Sequence, residues 1–121
     1  MQKLARIINK TQSDKVIGDR IEIADGFVSK LCGLIGRTEL PQGGGMLLVG
    51  TTSIHTCMMS IPIDALFLDK ANRIVAIDHS LRPWRIGKMR MKTCSVLELP
   101  AGTAERLGIH LEDQIEVQKL R

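Results

Sequence analysis

Short apolar runs separated by polar turns dominate the chain, and most of them alternate with a period of two residues. That period belongs to strands, because successive side chains leave opposite faces of a sheet. KLARIINKT and KVIGDRIEIAD predict a pair of opening strands broken by a polar turn. GMLLV after the PQGGG loop at 41–45, Ile63 to Leu68, RIVAIDHSL, Cys94 to Leu99 and the closing DQIEVQKL predict five more. Asp69-Lys70-Ala71-Asn72 reads as a hairpin turn, and Pro100 as the end of its strand. Helical spacing interrupts twice. Asp25 stands as an N-cap before Phe27, Val28, Leu31, Leu34 and Ile35, with Gly36 as the stop; a shorter helix through Ala104 and Leu107 stops at Gly108. About seven strands at hairpin spacing predict a mainly β (α+β) chain, a compact antiparallel barrel or sandwich with two short helices. No repeat or linker divides it, so residues 1–121 read as a single domain, from about Ile7 to Leu120.

Composition sharpens this picture in one respect. Hydrophobic residues make up 44% and charged residues 25% of the 121, ordinary for a globular protein, but aromatic residues are only 2%. The core must therefore be built from Leu, Ile, Val and Met, and recognition of single strands by base stacking has few platforms to use. No apolar stretch approaches the roughly 20 residues of a spanning helix, so no membrane is implied. MQKLARIINK lacks the apolar run of a secretory signal, and Cys32, Cys57 and Cys94 form no CxxC pair. Unpaired thiols predict a cytoplasmic location, with all three cysteines buried as small hydrophobes.

Two carboxylates stand where apolar residues belong. On Ile63–Leu68, alternation puts Ile63, Ala65 and Phe67 on one face and Asp64, Leu66 and Leu68 on the other. Both faces are apolar, so Asp64 is expected to be buried. Glu98 likewise shares a face with Cys94 and Val96 while Leu97 and Leu99 point the other way. A buried carboxylate needs a donor or takes up a proton. Arg37 can supply a two-pronged donor, which suggests one polar cluster of Arg37, Asp64 and Glu98. Such a cluster either ties helix to sheet or lines a pocket; the structural role is the preferred one, since structural ion pairs perturb carboxylates as active sites do.

Other chemistry is thinner. His55-x-Cys57 has no second Cys/His pair to complete a zinc site, so neither a metal nor another cofactor is expected. GGG at 43–45 lacks the lysine of a phosphate-binding loop. Between Arg82 and Lys92 the chain carries Arg82, Arg85, Lys88, Arg90 and Lys92 and no acid; without these five, 12 basic residues stand against 13 acidic ones. The net charge of +4 is thus one local patch, with Arg82, Arg85, Lys88 and Arg90 as a candidate anion site or a solvated loop. LPAGTAERLGIHLEDQIEV resembles the helix–turn–strand of AbrB-type swapped-hairpin transcription regulators over a few residues.

Three segments taken together resemble one family, domain of unknown function family 192. They are GLIGRTELPQGGGMLLV, SIHTCMMSIPIDALFLDKANRIVAI and SVLELPAGTAERLGIHLEDQIEV, in order over roughly residues 20–117. Arg37, Gly45, Met46, Pro62, Asp64, Asp69, Glu98, Gly102 and Gly108 carry the match. The resemblance implies a compact, mainly β fold of jelly-roll-like or barrel topology, and no established activity. Where family members often carry an aromatic-Met-Lys arrangement, this chain has Cys57, Met58, Met59 and Ser60, and the resemblance makes His55-Thr56 the candidate local substitute.

Three functions stay open. The first is a module that binds an unknown small ligand or a protein partner, with Arg37, His55, Asp64 and Glu98 lining its polar interior. The second is a hydrolase using Asp64 or Glu98 as general base, although no complete catalytic motif is present. The third is nucleic-acid binding through residues 82–92. Exposed strand edges also allow a homodimer.

Overall fold

The computed structural model of the chain describes residues 3–25, 39–51, 61–83, 90 and 92–120. Among these residues it forms seven strands and one short helix: β1 (Lys3–Asn9), β2 (Lys15–Ala24), β3 (Gly44–Val49), β4 (Ile63–Leu68), β5 (Ile74–Leu81), β6 (Ser95–Pro100), α1 (Thr103–Arg106) and β7 (Ile115–Lys119). The predicted helix from Asp25 to Gly36 falls almost wholly outside the described residues; the second predicted helix is α1.

The seven strands make one sheet in the order β5-β4-β6-β3-β2-β1-β7. Every pairing is antiparallel except β2 with β3, where Arg20 to Ala24 run beside Gly44 to Leu48 in parallel. Hairpins follow from turn chemistry. Asp69 accepts the amides of Ala71 and Arg73 at 2.9 Å through one oxygen, and Asn72 takes a left-handed φ of 61°, so the Asp69–Asn72 turn forms as its residues dictate.

The sheet curls until its two edge strands meet at one corner, which makes it a half-barrel. Arg73 and Gln114 form an antiparallel bridge. Beside it the Ile74 amide donates to the Asp113 carbonyl at 3.0 Å, and the Glu112 amide to the Ile74 carbonyl at 2.8 Å. A buried polar pair holds this corner: Asn9 donates to the Asp113 carboxylate at 2.8 Å, and the His110 amide donates to the same oxygen at 2.9 Å.

The concave side is filled by Ile7, Ile21, Leu47, Leu66, Leu68, Ile74, Leu97, Leu99 and Ile115, with Ala104 and Ile109 from the α1 region. A second buried cluster covers the other face of the middle strands: Ala24, Met46, Leu48, Ile63, Ala65, Phe67 and Val96. All six residues of β4 are therefore buried, as its two apolar faces require. Gly45 takes a positive φ beside β6, where a Cβ would collide with the Glu98 carbonyl oxygen.

One sequence expectation fails. Cys94 is exposed, not buried. It lies just outside β6, where its amide bonds the Leu68 carbonyl at 2.8 Å, and regular alternation does not extend to it; its neighbour Thr93 is the buried one. Cys32 and Cys57 lie outside the described residues.

The corner is testable. Asp113→Ala would leave the buried Asn9 side-chain amide and the part-buried His110 N–H without their acceptor, so it should cost about 2–3 kcal/mol. Urea unfolding should show the midpoint falling with little change in slope.

Candidate functional site

The two buried carboxylates lie on opposite faces of the sheet. Cross-strand pairing sets Asp64 against Leu99 and Glu98 against Ala65, and directly paired residues share a face. Asp64 thus belongs to the concave side with Leu66, Leu68 and Leu99, while Glu98 belongs to the face of Ala65, Phe67 and Val96. Asp64 and Glu98 therefore do not meet in the single cluster expected from sequence, because alternation on β4 and β6 fixes each face but only the register between them decides which faces coincide. Arg37 and His55 lie outside the described residues.

Asp64 is fully buried and fully partnered. Between the β4–β5 pairs Ile63–Leu81 and Ala65–Asp78, β5 carries one extra residue, a bulge at His79 and Ser80 opposite Asp64. Ser80 sits at φ 49° and turns its amide to one Asp64 oxygen at 2.8 Å. The other oxygen accepts the Ala104 amide at 2.9 Å, in the first turn of α1. The helix has Gly102 at its N-cap, with no side chain to cap it, so Asp64 caps it from β4. The carboxylate also sits at the positive end of the helix.

Glu98 is 3% exposed, and none of the described residues donates a hydrogen bond to it. Burial alone pushes its carboxyl up to about 8, so it carries its proton at neutral pH. Across the sheet it belongs to a row of four: Met46 on β3, Glu98 on β6, Ala65 on β4 and Asp78 on β5. Asp78, which sequence reasoning missed, is held by Arg90 through two hydrogen bonds of 2.8 and 3.2 Å. The Arg90 guanidinium also lies 4.1 Å from the centre of the Phe67 ring. One face therefore carries a neutral carboxyl and a clamped Arg–carboxylate pair on either side of Ala65. Only the β4–β5 register reveals Asp78, since RIVAIDHSL reads as an ordinary edge strand.

The remaining candidates divide. Arg90 is engaged by Asp78 and Phe67, which removes it from a set of free phosphate-binding cations. Arg82 is exposed just beyond β5, and Arg85 and Lys88 lie outside the described residues. His79 and His110 are exposed. Among the described residues, no three His, Cys, Asp or Glu side chains gather as a metal site would require. The AbrB-like stretch enters the main sheet, its strand β7 pairing along β1.

Comparison with known proteins finds the model of DUF192, described as "Uncharacterized ACR", matching residues 7–117. A UPF0127 protein of Pyrococcus abyssi is 31% identical over 116 residues, covering 91% of this chain and 95% of that one. A second, from Pyrococcus horikoshii, is 29% identical over 113 residues and covers 91% and 96%. The crystal structure of a protein of unknown function from Novosphingobium aromaticivorans superimposes with a TM-score of 0.82 at 27% identity, covering 94% of this chain and 84% of that one. That of "a putative transcription regulator" from Sinorhizobium meliloti gives 0.83 at 28% identity, covering 97% and 94%.

Each carboxylate makes its own prediction. Asp64→Asn turns an NH2 group toward a backbone amide and loses one of two acceptors, so it should cost about 2–3 kcal/mol, measured by denaturant unfolding at pH 7. Glu98 acts in the opposite sense. Its folded-state value of about 8 lies above the ordinary 4.5, so the folded state holds an extra proton between them. Its contribution is complete below about pH 4.5 and is lost as pH rises toward 8, at no more than about 1.4 kcal/mol per pH unit. Glu98→Gln should flatten this part of the stability curve and raise the melting point at pH 8. A wild-type curve flat over that range would refute the assignment.

Proposed function

This chain belongs to the uncharacterised DUF192 family, and from that premise we propose that it is a non-enzymatic binding module whose ligand contacts the face carrying Glu98, Ala65, Asp78 and Arg90. The observation that carries the reading is Glu98, a buried carboxyl to which no described residue gives a hydrogen bond. Burying such a group costs stability, which a ligand with a complementary donor or acceptor offsets. Arg90, clamped by Asp78 and set over Phe67, gives the same face a fixed cation and a fixed anion. Arg37 and His55 belong to this reading only as family-motif or sequence candidates. The exposed Cys94 thiol supports a reducing compartment, the cytoplasm, as the place where the domain works.

Two other readings are weaker. A hydrolase would use Asp64 or Glu98 as base, but both Asp64 oxygens accept backbone amides and the two carboxylates do not share a face. Nucleic-acid binding draws on the basic loop and on the name given to the Sinorhizobium meliloti protein, and it loses Arg90 to Asp78.

A thermal-shift screen against divalent metals, sugars, nucleotides, small carboxylates, amines and short nucleic acids tests the proposal. A ligand at 100 times its Kd should raise the melting point by roughly 10 °C. The rise should shrink sharply in Glu98→Gln and persist in Asp64→Asn. A shift given only by nucleic acid, falling steeply with salt, would move the function to the basic loop. A flat screen would remove the small-ligand reading.

A further inference from the structure

The sheet has two edges, and they are treated differently. On β7, Glu116, Gln118 and Lys119 stand along the strand, with Gln118 hydrogen-bonded to Glu116 at 2.8 Å and to Arg6 of β1 at 3.0 Å. Charged side chains of this kind protect an edge from pairing with other chains. Between Ile74 and Leu81, β5 carries no lysine, arginine or proline, and its one acid, Asp78, is held by Arg90.

The chain itself shows how a strand sits on that edge. On the side away from β4, Ile74 exchanges two backbone hydrogen bonds with the 112–113 segment, at 3.0 and 2.8 Å, next to the Arg73–Gln114 bridge. The ladder then stops. Glu112 takes a left-handed φ of 73°, the Asp113 amide turns back to the His110 carbonyl, and the segment through Ile109 leaves the edge. A groove of about 470 Å³ opens between Val75, Ala76, Ile77 and His79 on one wall and Ile109, His110 and Leu111 on the other. Its volume lies within the roughly 300–1,000 Å³ of ordinary binding clefts.

Register decides what the groove offers. The Asp69 amide donates to the Arg73 carbonyl, so Asp69, Phe67 and Ala65 bond toward β5 and draw in Ala76 and Asp78. The extra residue between Ile74 and Ala76 reverses the parity of the outward-bonding Ile74, and the peptide groups of Ile77 and His79 turn away from β4 toward the groove. A floor of outward backbone donors and acceptors between apolar walls matches an extended backbone with apolar side chains at alternate positions. Leu111, 56% exposed, supplies an open apolar wall. We infer that the β5 edge is a docking site for an extended apolar peptide segment of a partner protein, which continues antiparallel to β5 the ladder that residues 112–113 begin. This site is separate from the Glu98 face and does not depend on it.

The test is selection of a displayed random hexapeptide library against the full chain, followed by synthesis of enriched peptides. Enriched peptides should carry apolar residues at alternate positions and should slow amide exchange at Ile77 and His79 on binding. His79→Lys and Leu111→Glu alter exposed residues, so both should fold with an unchanged melting point. Each should weaken peptide binding about tenfold. Three results would overturn the proposal: no enrichment, binding that protects other amides, or peptide affinity unchanged in both variants. Concentration-dependent dimerisation abolished by His79→Lys would also overturn it, by making a second copy of this chain the occupant.

Discussion

The interaction on which the arrangement turns is the Asp64 carboxylate, lodged in an apolar strand with a backbone amide on each oxygen. One amide comes from the bulge at Ser80, the other from the first turn of α1. The bulge leaves the Ser80 amide without a ladder partner, and a four-residue helix with no side-chain cap cannot satisfy its own first amides. Asp64 resolves both deficits with one group and fixes where α1 sits. That position brings Ala104 and Ile109 into the concave core and delivers Asp113 to the corner, where Asn9 and Ile74 meet it. A strand residue thus sets the path of the chain some 40 residues later.

Against that fully partnered group, Glu98 is its opposite in every respect that matters for function. Both are buried acids in central strands, yet one is paid for by two amides and the other stays neutral under apolar neighbours. The difference follows from the sheet: the concave side receives α1 and its free amides, while no helix start among the described residues reaches the other face. A carboxyl there finds Met46 and Ala65 as cross-strand neighbours, neither of which donates a hydrogen bond. Asp78, one strand further, has Arg90 and keeps its charge.

The strands were legible because alternation and turn residues are local. Ile63–Leu68 showed its two apolar faces, Asp69 its turn and Gly108 its stop, which bears the left-handed φ of 63° that glycine tolerates. Burial of Asp64 and Glu98 was legible for the same reason. Their separation onto opposite faces was not, since a one-residue change in register exchanges the faces of a strand without altering its own pattern. Asp78 and the Asn9–Asp113 pair were missed on the same ground: residues 104 apart meet only because the sheet closes. The exposed Cys94 shows the converse failure, a residue placed by extending alternation one position beyond the strand that supports it.

Closure also explains why one edge is left open. A fully closed barrel would pair β5 with β7 along their whole lengths and abolish both edges. Here the two strands touch only at their starts and run apart in opposite directions, so each keeps most of its free edge. Protecting β7 with charged and amide side chains costs little, because every residue after Ile115 is at least partly exposed. On β5 the acid Asp78 is clamped by Arg90, and Ser80 lends its amide to Asp64, so neither position is available to guard the edge with a charge of its own. The contacts that hold the buried Asp64 and the half-buried Asp78 therefore also leave the β5 edge unguarded, and the polar interior and the open edge are two consequences of one register.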